Sequence, residues 1–215
     1  MGTSTRSINK KIRRILKKEY IDKDIDYSIP RVRKEVLTKE KLEENFLVAG
    51  FFNLINTGIK GIQAIQKDSF KEEFHSEVDF ERYKLKSDEI TIEKIIEEIL
   101  NTIKDDIHSD NLLKAFKYAM SKVIKEEKNI HDFICEFCYY LLYLILEKDL
   151  VEVLSDVYPE LSMQHISKLI KEEARRTVDI YLSENIKEFE QRNITLEELI
   201  NIIVEKASST EVEGF

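Results

Sequence analysis

Proline and glycine are scarce: the chain has two prolines and five glycines in 215 residues. Tryptophan is absent and cysteine occurs twice. So few breakers leave long stretches open to helix, while two cysteines exclude a disulfide scaffold and make the reducing cytoplasm the expected compartment. Long apolar runs are missing too. The longest, Phe137 to Leu146, has ten residues, against the roughly 20 that a membrane-spanning helix needs. No transmembrane segment is expected. The opening MGTSTRSINKKIRR shows no apolar stretch ahead of a small-residue cleavage site, which argues against secretion. Arg6 stands where a myristoylation pattern wants Ser or Thr.

What is present is 42% apolar and 35% charged sequence, enough to bury a core and to exclude wholesale disorder. Net charge is -8, unevenly spread. Residues 1–41 hold 13 basic and six acidic side chains, a net +7, which leaves -15 on the remainder. A basic arm on an acidic body reaches for an external anion or folds back on that body, and composition does not choose between these.

The apolar spacing is helical throughout, with no strand alternation and no internal repeat, so the expected fold is all-α: a compact helical bundle preceded by a flexible basic N-terminal arm. The expected division is an arm over 1–44, a helical domain over 45–207 and a frayed tail over 208–215. In the arm, Ile8, Ile12, Ile15 and Leu16 share one face of a short helix from Ile8 to Lys18, with lysines and arginines on the rest. Pro30 is read as a linker mark, because it restricts Ile29 to extended backbone. Apolar residues from Lys39 to Ile65 again have helical spacing, interrupted by Gly50, Gly58 and Gly61. Close helix approach explains these glycines better than a phosphate loop, since TGIKGI lacks the spacing and the Lys-Ser/Thr ending of one.

Further on, Asp88 or Thr91 can start a helix to about Ile103, and Ser109 or Asp110 the next. Asn129 opens a helix that is apolar nearly all round and therefore central, ending about Leu146. A shorter helix is expected over Leu150 to Val157. Ser162 caps a long one to about Phe189, and Thr195 with Glu198 fits a capping box for a last helix.

Chemistry-bearing clusters are few. His131, Cys135 and Cys138 fall on one helical stripe and could face a metal, but no fourth ligand is evident. Core packing is the preferred reading. Asp105, Asp106, His108 and Asp110 could bind a cation, although helix capping accounts for the same residues. Glu172, Glu173, Arg175, Arg176 and Asp179 read as a solvated face with helix-spaced ion pairs. No nucleophile elbow, Walker, Rossmann or metalloprotease pattern occurs, so neither an enzyme nor a metal or other cofactor is expected.

The N-terminus itself, Met1-Gly2-Thr3-Ser4-Thr5, is small and polar. Removal of Met1 would leave the Gly2 amine with a pKa of about 7.7–8.0, partly neutral and nucleophilic at pH 7. MGTST at the extreme N-terminus, followed by a helical body, resembles the QatB component of Qat anti-phage defence systems. ITIEKIIEEILNTIKDDI with NLLKAFKYAMSKVI, and ISKLIKEEARRTVDIYL with ITLEELINIIVEKA, are similar to that family's paired and closing helices. The likeness spans residues 1–5 and 90–207. The basic helix from Ile8 departs from the Pro/Gly-rich stretch that often follows the family's opening motif.

The resemblance implies a non-catalytic subunit working with an ATPase, a TatD-like nuclease and a QueC-like enzyme. It implies that Gly2 is the modified residue, conjugated to a deazaguanine-type nucleobase, with Thr3, Ser4 and Thr5 contributing to partner recognition. The alternative is a helical nucleic-acid-binding or protein-interaction module that uses the basic arm, with salt-sensitive binding to phosphates.

Overall fold

The computed structural model describes residues 3–20, 25–78, 89–103 and 107–209, with side chains described from Ser7 onward and not for residues 18–28. Among these residues the fold is all-α, without a strand. The helices are α1 (Thr3–Tyr20), α2 (Ile25–Val36), α3 (Lys39–Phe46), α4 (Ala49–Gln66), α5 (Phe70–Phe74), α6 (Glu89–Asn101) and α7 (Asp110–Lys125). They continue as α8 (Ile130–Val157), α9 (Met163–Thr177), a π-helical turn (Val178–Leu182), α10 (Ser183–Glu190) and α11 (Leu196–Ser208).

α8 is the axis of the bundle. Its 28 residues span about 42 Å at the usual rise, and α1, α2, α4, α7, α9, α10 and the π turn all pack against it. Asn129 caps it reciprocally with Asp132, as a capping box. The helix does not end near Leu146. Glu147, Lys148 and Asp149 are ordinary helix formers, and Leu150, Val153 and Leu154 return the buried face one turn later, so the expected shorter helix is the second half of α8. Conversely, the helical stretch from Lys39 breaks at Leu47 and Val48 into α3 and α4, and the long helix after Ser162 is interrupted by the π turn.

Pro30 lies inside α2 rather than in a linker. A proline there removes one backbone donor, and the buried face of Ile29, Val32 and Val36 offsets that loss. The segment expected as a basic arm shares the main core wherever its side chains are described: Ile12, Leu16, Ile29, Val32, Val36, Leu37 and Leu42 are all buried. Of the two outcomes open to a basic arm, folding back on the acidic body is the one seen. Arg13 reaches Asp156 at 2.5 Å, and Lys41 is ion-paired with Asp149.

An aromatic chain ties the helices together. Phe46 of α3 meets Phe51 of α4 at 5.0 Å, Phe51 stacks on Phe137 of α8 at 5.0 Å, and Phe116 of α7 sets its edge to Phe133 at 5.8 Å. Gly58 lets α4 approach α8, since a Cβ there would stand 2.2 Å from Phe133 Cζ. With so little glycine available, non-glycine residues take the left-handed positions just past helix ends. Asp68, His75, Glu127 and Arg192 follow α4, α5, α7 and α10 with φ of 56, 51, 51 and 63°. Ser109, Ser162 and Thr195 cap α7, α9 and α11 as their sequence context predicts.

Candidate functional site

Gly2 lies outside the described residues, as do the side chains of Thr3, Ser4 and Thr5. The backbone of those three residues forms the start of α1, which begins five residues ahead of the expected Ile8. No breaker separates Thr3 from Ile8, and extending an existing helix adds one hydrogen bond per residue fixed. The rest of α1 is anchored. Ile12 and Leu16 are buried, Lys11 meets Glu35 of α2 at 2.5 Å, and Arg13 meets Asp156 at the C-terminal end of α8. The segment leading from residue 3 is thereby tied to the bundle.

Between α7, α8 and α9 lies a face rich in tyrosine and cation. Glu136 of α8, only 5% exposed, accepts from Lys122 Nζ at 2.8 Å and from Arg175 Nη2 at 2.6 Å. Burial alone would push its carboxyl up, but the two charged donors outweigh that and hold it below the ordinary value. Arg175 lies over the Tyr139 ring at 3.7 Å, and Tyr118 stacks on Tyr140 at 4.1 Å. Lys171 sits 5.3 Å from the Tyr143 ring centre, and the Tyr143 hydroxyl donates to Glu147. Burial pushes Tyr139 and Tyr143 up to about 12, so both remain neutral phenols at pH 7. At 7% and 5% exposed they serve as packing surfaces under Arg175 and Lys171 rather than as a base or a nucleophile.

Beside Tyr139 opens a groove of about 480 Å³, lined by Lys168, Lys171, Arg175 and Arg176 with Glu172, Asp179 and Ile180. Ile180 is 58% exposed. Tyrosine and arginine around a shallow apolar floor is the composition of protein-contact hot spots. Two of the four cations are matched: Lys168 pairs with Glu172 at 3.6 Å and Arg175 with Glu136. With four cations against two carboxylates in its lining, the groove is modestly positive.

The expected solvated face on α9 divides in two. Glu172, Arg176 and Asp179 are exposed, but Glu173 is 6% exposed and turns toward α2, while Arg175 turns toward Glu136. Facing Glu173 is Arg33, 1% exposed, which the reading of the sequence passed over. Its Nη1 donates to Thr177 Oγ1 at 3.1 Å, its Nε stands 3.4 Å from Glu173 Oε1, and its guanidinium lies 5.2 Å from the Tyr181 ring centre. Burial pushes the Glu173 carboxyl up, against the pull of Arg33 and Arg176. The available signal was position: Ile29, Val32, Arg33 and Val36 fall on one helical face.

The stripe of His131, Cys135 and Cys138 packs into the core. His131 Nε2 contacts the Ser183 carbonyl at 3.2 Å, and Cys135 Sγ lies 3.7 Å from the same ring nitrogen. Burial pushes the Cys135 thiol up to about 12 and that of Cys138 higher still, so neither carries the thiolate that metals and electrophiles require. Among the described residues no group of three or more His, Cys, Asp or Glu side chains could hold a metal ion. Asp105 and Asp106 lie outside the described residues, whereas Ser109 caps α7 by accepting from Leu112 N at 3.4 Å. Gly58 and Gly61 lie within α4, against side chains rather than in a loop. Among the described residues no helix is long and apolar enough to cross a membrane.

No protein-family model matches the sequence, and no curated protein or solved structure matches it at a significant level.

Proposed function

We propose that this chain is a non-catalytic, cytoplasmic subunit of a QatB-like anti-phage defence system, serving as the protein substrate of a QueC-like partner. Gly2, exposed by removal of Met1, is the residue conjugated to a deazaguanine-type nucleobase. Thr3, Ser4 and Thr5 are read by the modifying enzyme, and an ATPase and a TatD-like nuclease complete the partners. The observation that carries this reading is the sequence Met1-Gly2-Thr3-Ser4-Thr5, in which Gly2 directly precedes a helix that begins at Thr3 and is tied to the bundle by Ile12, Leu16 and Arg13. A small unhindered amine ahead of an anchored helix suits attack on an activated acyl group, which glycine lets approach closely. The groove beside Tyr139 supports the docking half of the proposal, because exposed Ile180 and Arg176 at its edge are groups that protein contacts use.

The nucleic-acid reading draws on Lys10, Arg14 and Lys17, which remain exposed on α1. Against it, Lys11, Arg13, Arg33 and Lys41 already face carboxylates of this chain. The experiment is intact-mass analysis of the chain co-expressed with its genomic neighbours, wild type beside Gly2→Val. Wild type should gain mass beyond the loss of Met1 and the variant should not. An unchanged wild-type mass in the presence of an active partner overturns the proposal.

A further inference from the structure

Among the described residues Arg33 is the one charged member of the largest fully buried side chains; its peers are phenylalanines, leucines and Ile12. Its described partners, Glu173, Thr177 and Tyr181, all belong to α9 and the π turn, so its charge is compensated there only while α2 lies on that surface. Taking two ions out of water costs much of what their attraction returns. Thr177 needs nothing from Arg33, because its hydroxyl already donates to the Glu173 carbonyl at 2.8 Å. Lifting α2 off would rehydrate both ions and strand no other described polar group at this contact.

The two helices before Thr38 are also separable in their packing. α1 lies on α2 and α8, and α2 on α8 and α9. Lys11 of α1 pairs with Glu35 of α2, a bond internal to the pair. Extended backbone at Thr38, with φ -70° and ψ 153°, divides α2 from α3. α3 is held independently, by packing on α11 and by Lys41 with Asp149 of α8. A division point with one side anchored and the other attached partly through a buried ion pair is the arrangement of a strap.

We propose that α1 and α2 form a strap that opens as one unit about Leu37 and Thr38 while the bundle stays folded, with Arg33 as its latch. Apolar contacts of Ile12, Leu16, Ile29, Val32 and Val36 supply the attraction, and the ion pair fixes the register in which they engage. If the proposed modification holds, the strap also carries Gly2, so its opening sets how far the terminus reaches. That consequence rests on the proposed function, whereas the latch does not.

Hydrogen–deuterium exchange on the full chain, read by mass spectrometry, tests the latch. In Arg33→Met, Glu173 loses its facing cation and amides of α2 should exchange faster by on the order of a hundredfold, while α8 keeps its protection. In Arg33→Met/Glu173→Leu the pair becomes apolar, and α2 protection should return to within about tenfold of wild type. Equal acceleration in α2 and α8 shows one cooperative unit and overturns the strap. Unchanged α2 exchange in the single variant, or no recovery in the double, overturns Arg33 as its latch. None of these outcomes depends on whether Gly2 is modified, which intact mass reads separately.

Discussion

Two glycines less than one helical turn apart in α4 should answer the same substitution with unequal losses. In Gly58→Ala the new methyl would stand 2.2 and 2.6 Å from Phe133 Cζ and Cε1 and 3.1 Å from Phe116 Cε2. Relief requires the Phe133 ring to retreat by more than about 1 Å, where ordinary contact begins near 3.4 Å. That ring is fully buried, 5.8 Å from Phe116 and 6.0 Å from Phe137, so its retreat disturbs both neighbours. Overpacking of this kind costs about 1–3 kcal/mol, against about 1 kcal/mol gained in helix propensity. The contact is short enough to place the cost at the upper end, so the net expectation is a loss of about 1–2 kcal/mol.

At Gly61 the nearest atoms are Ile99 Cδ1 at 2.6 Å, the far end of its side chain, and Ile99 Cγ1 at 3.2 Å, with Met120 Cε at 3.7 Å. Rotation about the Cβ–Cγ1 bond of Ile99 carries Cδ1 away and leaves only a few tenths of an ångström to be given at Cγ1, so Gly61→Ala should lie within about 1 kcal/mol of neutral. Urea unfolding followed by far-ultraviolet circular dichroism measures both, provided the two variants share one m-value. In a chain of this size the difference corresponds to roughly 2–4 °C in Tm per kcal/mol. Adding Phe133→Leu to Gly58→Ala should recover part of the loss. Equal stability of the two alanine variants, or a more stable Gly58→Ala, would refute the account of α4 packing.

Two further expectations concern titrating groups. Cys135 and Cys138 should resist a thiol reagent in native protein at pH 8 and both react in urea, because burial pushes Cys135 up to about 12 and Cys138 higher; rapid native labelling of either would contradict the packing. Glu136, held below its ordinary 4.5, contributes stability that is complete above that value and is lost as pH falls through its lowered one. Wild type should therefore lose stability more steeply than Glu136→Gln between about pH 5 and 3, and parallel slopes in urea titrations would dismiss the Lys122–Glu136–Arg175 network as a contributor.

Helix starts are legible in the sequence because cap chemistry is local. Asn129, Ser162 and Thr195 each meet their backbone donors within three residues, so no tertiary knowledge is required. The glycines of α4 are legible for a similar reason, since interior glycine in an apolar helix demands a neighbour. Continuity is harder. Charges at Glu147, Lys148 and Asp149 look like a boundary, and the docking of Lys41 on Asp149 and of the Tyr143 hydroxyl on Glu147 explains a charged stretch beside the core. Pro30 misleads in the opposite direction, because burial of Ile29 and Val32 lies outside what a local rule about proline contains. Glu173 reads as solvated from its company, yet a helix that packs on two sides leaves little solvent face, and its second neighbour, α2, lies 144 residues away along the chain at the Arg33–Thr177 bond. The tyrosine face is hidden in an apolar run whose residues differ mainly in whether they carry a hydroxyl.

From Met163 to Glu190 the backbone stays helical, and the turn at Val178–Leu182 is the place where its winding changes. An α-helix advances about 100° per residue, so one extra residue accommodated in a wider turn rotates everything after it by that angle. The π turn thus works as a phase shifter on a continuous rod. Before it, Ile166, Ile170 and Ala174 look inward and Glu173 meets α2; after it, Leu182 and Ile186 are brought back to the core beside α8 and α11. Deleting a single residue within 178–182 would let the turn relax to ordinary α-helix and swing α10 by about 100°, carrying Ile186 out of the core and Ser183 away from His131. Chain length at this point is therefore converted into facing direction, and the two sides of the rod can serve different neighbours without a loop between them.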